Sequence, residues 1–368
     1  MLELNRKVFL NHLRLISKTA DPKSVNLNDQ CIRLLSNAQG TWIMANNSAF
    51  STLLFNEQSI DGALDVGVTP KKMIDIISVG RSENVVLSRL DNNQLQVKQG
   101  RTTAKFNTFD ASTMHMVQGP QTEYTVSLPA DVWLAAANKI LIASSKSSSR
   151  VIGSYASQAV SIRLKSGTPN GVIEFACTDG NRLACYMVGA QCNQDAQVLV
   201  PAQAFQYIAR SLVDMGSLAI EPNRIIVASN NSMFESRLLV TSFPPYEQLL
   251  YERAEASIQI NKHDLSSILK QVCTVISTGV AKLILNSDEL KVVSDATGAI
   301  NDTGSVQGDV QTQYEGTVIT ALVSARYLDE AIWSFDSEQI TLSMSNGEFP
   351  VRITAEGEPH VHIVMTMK

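Results

Sequence analysis

Only a few side chains in the sequence have the type and spacing that catalysis or metal binding would require. His360 and His362 could place two imidazoles on one face of a strand, but a metal site needs a third ligand, and the five histidines are otherwise scattered. Ser267 and Lys270 have the Ser-x-x-Lys spacing of serine acyl-enzymes, yet the companion Ser-Asp-Asn and Lys-Thr-Gly motifs are missing. An enzymatic role would predict a hydrolysis that is lost in Ser267→Ala, and we expect none. The sequence therefore predicts neither a metal site nor a catalytic serine.

Other kinds of reactive site are also not indicated. No Gly-rich phosphate-binding motif of the Walker or dinucleotide type is present. The acidic residues are mostly solitary, so no paired-carboxylate site is expected. The five cysteines are scattered without a Cys-x-x-Cys, which argues against a disulfide framework and the usual zinc spacings. We expect a protein that is not an enzyme and that has no cofactor.

Composition limits the classes that remain. The 368 residues are 44% hydrophobic and carry a net charge of −5, which excludes a protein that coats nucleic acid through bulk positive charge. Any contact with a polyanion must therefore be local. No apolar run approaches the ~18 residues of a membrane-spanning helix, and no signal peptide is evident. The sequence predicts a soluble cytoplasmic protein without a membrane partner.

The same order of predicted elements occurs three times, which favours an α+β fold built from repeats. Each copy opens with a short strand and an amphipathic helix, continues with a β-rich stretch and a second helix, and closes with further strands. We write this pattern as β-α-βββ-α-βββ. The predicted domains are residues 1–122, 123–253 and 254–368.

Charge is distributed unevenly over these repeats. Residues 254–368 contain 7 basic and 15 acidic residues, whereas residues 1–125 contain 13 basic and 11 acidic ones. In the first helix a 3.6-residue period predicts a buried stripe with cations on another face: Phe9, Leu13 and Ile16 are expected in the core, and Lys7, Arg14 and Lys18 outside.

The first helices of the other two repeats follow a similar pattern. In the second repeat Lys139 is expected to be exposed. In the third, the period places Ile268, Val272 and Val275 in the core, and Lys262, Ser266 and Lys270 outside. One weakly basic helix per repeat therefore recurs in register, which favours a shared cationic surface.

Two segments resemble the bacterial β sliding clamp family, the processivity subunits of replicative DNA polymerases. Residues 177–184, CTDGNRLA, are similar to the family's A-T-D-G-[HN]-R-L-A segment, and residues 234–250, FESRLLVTSFPPYEQLL, are similar to its F-x-S-[KR]-L-[IV]-x-G-x-[FY]-P-[DN]-Y segment. The Ser324–Leu328 segment and the tail IVMTMK support the resemblance, which covers the whole chain in order. The first repeat matches least well, as expected for a divergent member.

The resemblance implies three clamp domains per chain and a head-to-tail homodimer, a six-domain ring whose helices line a central hole. Size agrees: a repeat of ~123 residues is about 35 Å across, and six such spheres leave a hole about 35 Å wide, enough for duplex DNA about 20 Å across. Such a ring encircles double-stranded DNA without reading sequence and tethers its partners. Those partners would be DNA polymerase, the clamp loader and repair proteins, in the bacterial cytoplasm at the nucleoid. The alternative is an interaction scaffold that has this fold and binds partner peptides but does not close a ring on DNA.

The resemblance also suggests site residues. Side chains expected to face DNA are Lys7, Arg14, Lys18, Lys23, Lys71, Lys72, Arg81, Lys139, Lys146, Arg150, Arg210 and Lys270. The dimer contact would join the strand around Ala104 and Phe106 to the helix end around Val275 and Ile276. The partner-peptide pocket would comprise Thr178, Gly180, Asn181, Arg182, Leu183, Pro244, Gln248, Leu249, Ser324, Tyr327, Pro350, Ile363, Val364, Met365, Thr366 and Met367.

Two features of this pocket stay open. Thr178–Gly180 could equally be a tight turn with glycine at positive φ, and the tail could simply be a closing strand. Gln248 stands where the family often has arginine, and Thr366 replaces the tail proline, so the preferred peptide is not predicted.

Overall fold

A computed structural model describes residues 1–145, 158–167, 171–295, 304–346 and 349–367. Its contacts divide the chain into two compact units: unit 1 contains Met1–Leu134 and Gln203–Leu238, and unit 2 contains Ala135–Ala202 and Leu239–Lys368. The middle repeat contributes strands to both units. The division into three domains therefore stays a prediction.

The described elements follow the repeated order expected from the sequence. The first repeat contains β1 (Leu2–Asn5), α1 (Arg6–Ile16), a short α2 (Leu27–Gln30), β2 (Ile32–Asn37), β3 (Gly40–Asn46), β4 (Phe50–Asn56), β5 (Leu64–Val68), α3 (Pro70–Val79), β6 (Asn84–Leu90), β7 (Gln94–Gln99) and β8 (Thr102–Asn107). The second contains β9 (Val126–Pro129), α4 (Ala130–Ile140), β10 (Ala159–Lys165), β11 (Val172–Thr178), β12 (Arg182–Gly189), β13 (Ala196–Pro201), α5 (Ala202–Ser211), β14 (Met215–Ile220), β15 (Arg224–Ser229) and β16 (Ser232–Arg237). A short helix α6 (Glu247–Tyr251) precedes the third, which contains β17 (Ala256–Asn261), α7 (Lys262–Val275), β18 (Val280–Leu285), β19 (Glu289–Ser294), β20 (Val306–Gln311), β21 (Ile319–Ser324), α8 (Ala325–Ile332), β22 (Gln339–Met344), β23 (Val351–Thr354) and β24 (His360–Val364).

The α+β fold class is confirmed, but the pattern β-α-βββ-α-βββ is wrong by one strand. In the part of the chain that the structure describes, each repeat has four strands between its two helices, because the segment that leads into the second helix (β5, β13 or β21) is itself paired in a sheet. The order is therefore β-α-ββββ-α-βββ.

The buried face of α1 is confirmed. Phe9, Leu13 and Ile16 are at most 1% exposed, and Lys7 and Arg14 face solvent. The helix begins where the side chain of Asn5, just before it, accepts hydrogen bonds from the first-turn N–H groups, a standard N-cap.

The prediction for α7 is wrong by about one position. Lys262 and Ser266 are buried, whereas Val275 is 36% exposed. The cause lies in α8 and the residues after it: Lys262 Nζ donates to the Phe335 carbonyl at 2.6 Å, and Ser266 Oγ accepts from Trp333 Nε1 at 2.7 Å. These polar contacts turn that side of α7 inward.

Unit 1 contains a four-stranded sheet in the order β1-β6-β7-β8 and an eight-stranded sheet in the order β5-β2-β3-β4-β16-β15-β14-β9. The eight-stranded sheet forms because β4 of the first repeat pairs antiparallel with β16, the last strand of the second. Thr52 lies opposite Phe234, and Ser51 opposite Glu235.

Unit 2 contains the equivalent sheets. Its eight strands run β13-β10-β11-β12-β24-β23-β22-β17, and its four-stranded sheet runs β20-β19-β18-β21. Here β12 pairs with β24, with Ala184 opposite His362 and Leu183 opposite Ile363. At both junctions, the third strand after a repeat's first helix (β4 or β12) therefore pairs with the last strand of the next repeat (β16 or β24).

The two junctions share one register. To compare the third strands of the repeats, we start from the residue before each second helix, Thr69, Pro201 or Ser324. From there we follow the strand pairings across the sheet to the third strand. On this count Thr52, Ala184 and Val306 are equivalent, lying opposite Ala45, Cys177 and Ser294. The last strands are counted from the first strand of each repeat. Ala104, Phe234 and His362 are equivalent, because their pairings lead through Val97, Val227 and Ile353 to Leu2, Val126 and Ile258, each four residues before a first helix.

Among the described strands, the third strand of the last repeat, β20, and the last strand of the first, β8, have no such neighbour. Both lie at the edge of a four-stranded sheet. An edge strand presents unpaired backbone N–H and C=O groups to solvent.

Candidate functional site

The segment CTDGNRLA forms a tight turn between β11 and β12. The Thr178 hydroxyl donates to the Arg182 carbonyl at 2.7 Å and accepts from the Gly180 N–H at 3.1 Å, and Asp179 Oδ1 accepts from the N–H groups of Asn181 and Arg182. Gly180 has φ of 91°, which a side chain would oppose. The turn reading of this motif is confirmed, and it holds Arg182 at the start of β12.

Arg182 connects this turn to α8. Its guanidinium donates from Nε to Asp179 at 3.0 Å and from Nη1 to Glu330 at 2.5 Å, and it lies over the Tyr327 ring with 4.3 Å to the centroid. Burial alone would raise the pKa of Glu330, but hydrogen bonds and charge from Arg182 and Arg326 lower it overall. Since Arg182 is 8% exposed, those donors serve the protein's own side chains.

An apolar cluster lies beside Arg182 in unit 2. Its buried members are Ala176, Leu183, Cys185, Tyr246, Leu250 and Ile363, and its partly buried members are Met187, Phe243, Leu249, Val361 and Met365. Four of these, Leu183, Leu249, Ile363 and Met365, were predicted for the pocket. We call this set the apolar cluster.

Tyr246 fixes the segment that carries four of the eleven cluster residues. Its hydroxyl donates to the buried carboxylate of Glu174, and its ring meets that of Phe243 edge-on with centroids 5.5 Å apart. Burial, and then the bond to Glu174, raise the pKa of Tyr246. Phe243 and Tyr246 were not predicted for the pocket, although the second family-like segment contains both.

The chain after β24 completes one wall. The Met365 N–H donates to the Asn181 carbonyl at 2.9 Å, and the Met367 N–H donates to the Leu322 carbonyl at 2.8 Å. The backbone is thereby held between the turn and β21, while Met367 remains 46% exposed. Methionine side chains held in this way form an adaptable apolar surface.

The remaining predicted pocket residues fall into two groups. Pro244 and Gln248 are exposed, and Ser324, Tyr327 and Thr366 are partly exposed. Pro350 and Val364 are buried, so their side chains support the wall from behind.

Most of the cations predicted to face DNA are exposed. This holds for Lys7, Arg14, Lys18, Lys23, Lys71, Lys72, Arg81, Arg210 and Lys270, and in the described part of the chain none of them forms an ion pair. Lys270 Nζ lies over the Trp333 ring, 4.7 Å from its centroid. Sequence reasoning missed this exposed tryptophan.

Lys139 does not fit the predicted role. Its side chain is 14% exposed, and Nζ lies 2.9 Å from Asp336 and 3.6 Å from Glu358 while also donating to the Ser334 carbonyl. Helical period could not reveal these distant carboxylates. Lys146 and Arg150 lie outside the described residues.

The residues predicted for the dimer contact differ in accessibility. Ala104 and Phe106 lie on the edge strand β8 and are partly exposed. Val275 is 36% exposed, but Ile276 is 1% exposed within the core, so its side chain is not available to another chain.

Reactive groups are also limited in the structure. Among the described residues no three His, Cys, Asp or Glu side chains are grouped as metal ligands, and no helix is long and apolar enough to cross a membrane. Burial raises the pKa of the Cys177 and Cys185 thiols, which disfavours the nucleophilic thiolate.

Comparison with known proteins agrees with this architecture. Residues 159–245 match the family model for the central domain of the DNA polymerase III beta subunit. A β sliding clamp of Pseudomonas putida is 21% identical over 99% of both chains, and one of Chlamydia pneumoniae is 20% identical over 82% of this chain and 81% of the relative.

Solved structures share the fold over the full length. The DNA polymerase III beta subunit of Pseudomonas aeruginosa matches with a TM-score of 0.90 at 18% identity, covering 100% of this chain and 99% of the other. That of Thermotoga maritima matches with a TM-score of 0.88 at 16% identity, with the same coverage. The fold is that of the sliding clamps. Together with the sequence matches, it supports a divergent member of the bacterial β sliding clamp family.

Proposed function

We propose that two copies of this chain close head to tail into a ring that encircles duplex DNA and tethers DNA polymerase and other replication proteins. The observation that carries this proposal is that equivalent strands differ in whether they are paired. Strands β4 and β12 each pair with the last strand of the next repeat, whereas β20 and β8 are unpaired edges within the described residues. Joining β8 of one copy to β20 of the other would repeat the same junction a third time.

The register of that contact follows from the internal junctions. Thr52 faces Phe234, and Ala184 faces His362. By equivalence, Ala104 would face Val306 of the partner subunit. Because the joined strands belong to different ends of the chain, the contact is heterologous and needs a closing rotation to end in a ring.

Such a ring would retain DNA because the closed protein surrounds the duplex. The exposed lysines and arginines on α1 and α3 provide cations for phosphates, and contact with the backbone alone leaves the protein free to slide. The acidic excess of residues 254–368 disfavours adhesion of DNA to the rest of the surface. No catalytic step is required, and the site of action is the bacterial cytoplasm, at the nucleoid.

The state of the protein in solution distinguishes the ring from the scaffold alternative. Sedimentation velocity at micromolar concentration should show a dimer, because strand pairing and burial at two contacts act together. A monomer over that whole range would favour a scaffold that does not encircle DNA.

We assign the apolar cluster and the tail as the pocket for short partner peptides. Replacing Met365 and Met367 together by alanine should weaken binding of a clamp-binding polymerase peptide by about 100-fold, because each truncation of a contact methionine costs on the order of 1–2 kcal/mol. Fluorescence anisotropy of the labelled peptide measures the effect.

A matched control for this pair is Met116→Ala, since Met116 is 39% exposed in unit 1, outside the apolar cluster. The control should bind the peptide normally, and both variants should remain dimers. Unchanged affinity in the double variant, or dissociation of its dimer, would show that the pocket is misplaced.

A further inference from the structure

The junction in unit 1 contains a polar cavity at the position that the apolar cluster occupies in unit 2. The cavity has a volume of about 250 Å³, and its lining includes Asn46, Asn47, Ser51, His115, Glu235 and Arg237. Nothing in the ring function described above uses it.

Strand pairing shows why the two places correspond. In unit 1, Asn46 lies opposite Ser51, and Ser51 lies opposite Glu235. In unit 2 the equivalent row is Thr178, Leu183 and Ile363. Two residues further along each last strand are Arg237 and Met365. The same scaffold therefore carries polar and charged side chains at one junction and apolar ones at the other.

One group in the cavity needs a hydrogen-bond donor. Asn46 is 7% exposed, and its Oδ1 has no hydrogen-bond partner among the described residues. Its Nδ2 donates to the His115 carbonyl at 2.8 Å, so the amide orientation is determined by that bond. A buried acceptor without a donor is costly, and a bound ligand could supply one.

The charged side chains around the cavity differ in whether they already have partners. Glu235 is buried and ion-paired with Arg224, 2.7 Å from its carboxylate, although the same guanidinium also pairs with Glu221 at 2.8 Å. His115 Nε2 lies 3.0 Å from the Glu235 carboxylate. Arg237 is exposed, and no side-chain partner of its guanidinium is found in the described part of the chain. Asp29, the other acid of the lining, is an acceptor that already binds the Ser24 hydroxyl at 2.9 Å.

We propose that this cavity binds a short peptide segment carrying an acidic side chain. A backbone N–H would donate to Asn46 Oδ1, and the carboxylate would pair with Arg237. Because Glu235 and Arg237 are two residues apart on one strand, they project on the same side, about 7 Å apart. The volume suits one or two residues, being below the ~300–1,000 Å³ of a site for larger ligands. The site is distinct from the pocket assigned to partner peptides.

The test uses the full chain and four blocked tripeptides as probes. Acetyl-Gly-Asp-Gly-amide and acetyl-Gly-Glu-Gly-amide are compared with the Gln and Lys analogues by TROSY NMR of the deuterated protein, up to roughly 10 mM, where even a weak site of millimolar Kd is occupied. The acidic probes should shift resonances of Asn46, Ala49 and His115, and the Lys analogue should not.

Variants test the contacts. Arg237→Gln and Asn46→Ala should each weaken binding of the acidic probe at least tenfold, whereas Met365→Ala should leave it unchanged. Thermal unfolding of each variant confirms that it is folded. If Asn46→Ala does not fold, Arg237→Gln still tests the proposal, because Arg237 is exposed. Absence of shifts at the cavity, equal binding of the Lys analogue, or a loss of binding in Met365→Ala would overturn the proposal without affecting the ring.

Discussion

Replacing Ala104 by aspartate should convert the dimer into monomers at concentrations where the unchanged protein is dimeric. At the two internal junctions the equivalent side chains, Phe234 and His362, are 1% and 2% exposed. An aspartate at Ala104 would therefore be buried without a partner when β8 pairs with β20. The expected rise in the dissociation constant is about 100-fold or more, since an unpaired buried charge costs on the order of 3 kcal/mol.

A neighbouring substitution provides the control. Thr103 is adjacent on β8 and points to the opposite face of the sheet, where the equivalent residues Met233 and Val361 are only partly buried. Thr103→Asp should therefore cost the dimer far less. Sedimentation equilibrium measures both constants, and equal effects of the two variants would contradict the proposed register.

Acidification should destabilise unit 2 through a buried histidine pair on β24. His360 and His362 are 1% and 2% exposed, and the imidazole of His360 stacks on Phe335 with ring centroids 4.1 Å apart. Burial, and then the charge of Lys139, lower the pKa of His360 to about 4, although Glu358 and Asp336 act in the opposite direction. Burial, then His360 and Arg182, lower the pKa of His362 to about 3.

The direction of the effect follows from proton uptake. In the unfolded chain both histidines titrate near 6.5, so between that pH and about 4 the unfolded state binds more protons than the folded state. The free energy of unfolding should therefore fall as the pH drops through this window, by several kcal/mol in total. Above pH 7 both groups are neutral in both states, and this dependence vanishes.

Urea unfolding followed by circular dichroism between pH 7.5 and 4.5 measures this loss. His362→Leu should reduce the slope, because it removes one of the two buried groups that take up protons on unfolding. The exposed His263, changed to glutamine, is the control and should leave the slope nearly unchanged. An identical slope in His362→Leu and the unchanged protein would show that the pair is not the cause.

Local signals in the sequence were sufficient for several features. The face of α1 and the tight turn at Gly180 depend on residues close together in the chain, so period and turn chemistry predict them. Ala104 and Phe106 lie on the edge strand β8, and their role in a dimer contact stays a prediction. The strand before each second helix is not separated from that helix by a turn signal, so the sequence pattern predicts one strand too few.

The features that were missed depend on distant partners. Lys139 has the pattern of an exposed helix residue, and only the fold brings Asp336 and Glu358 to its ammonium. Likewise, Lys262 is drawn inward by carbonyls that follow α8. The polar cavity of unit 1 could not be predicted, because Glu235 reaches Asn46 and Ser51 only through the pairing of β4 with β16.

Encirclement of DNA is tested most directly by closing the ring covalently around a circle. Ala104→Cys and Val306→Cys are combined with Cys273→Ser, which removes the exposed thiol. Directly opposed strand residues lie about 4.5–5.5 Å apart at Cα, within the range that a disulfide spans. Reduced protein is mixed with nicked circular plasmid at low salt, oxidised, and then washed in about 1 M NaCl, where direct phosphate contacts are screened.

The oxidised protein should stay on the circular plasmid through the wash and should be released when a restriction enzyme linearises the DNA. Release in high salt before linearisation, or equal retention on circular and linear DNA, would contradict topological linkage.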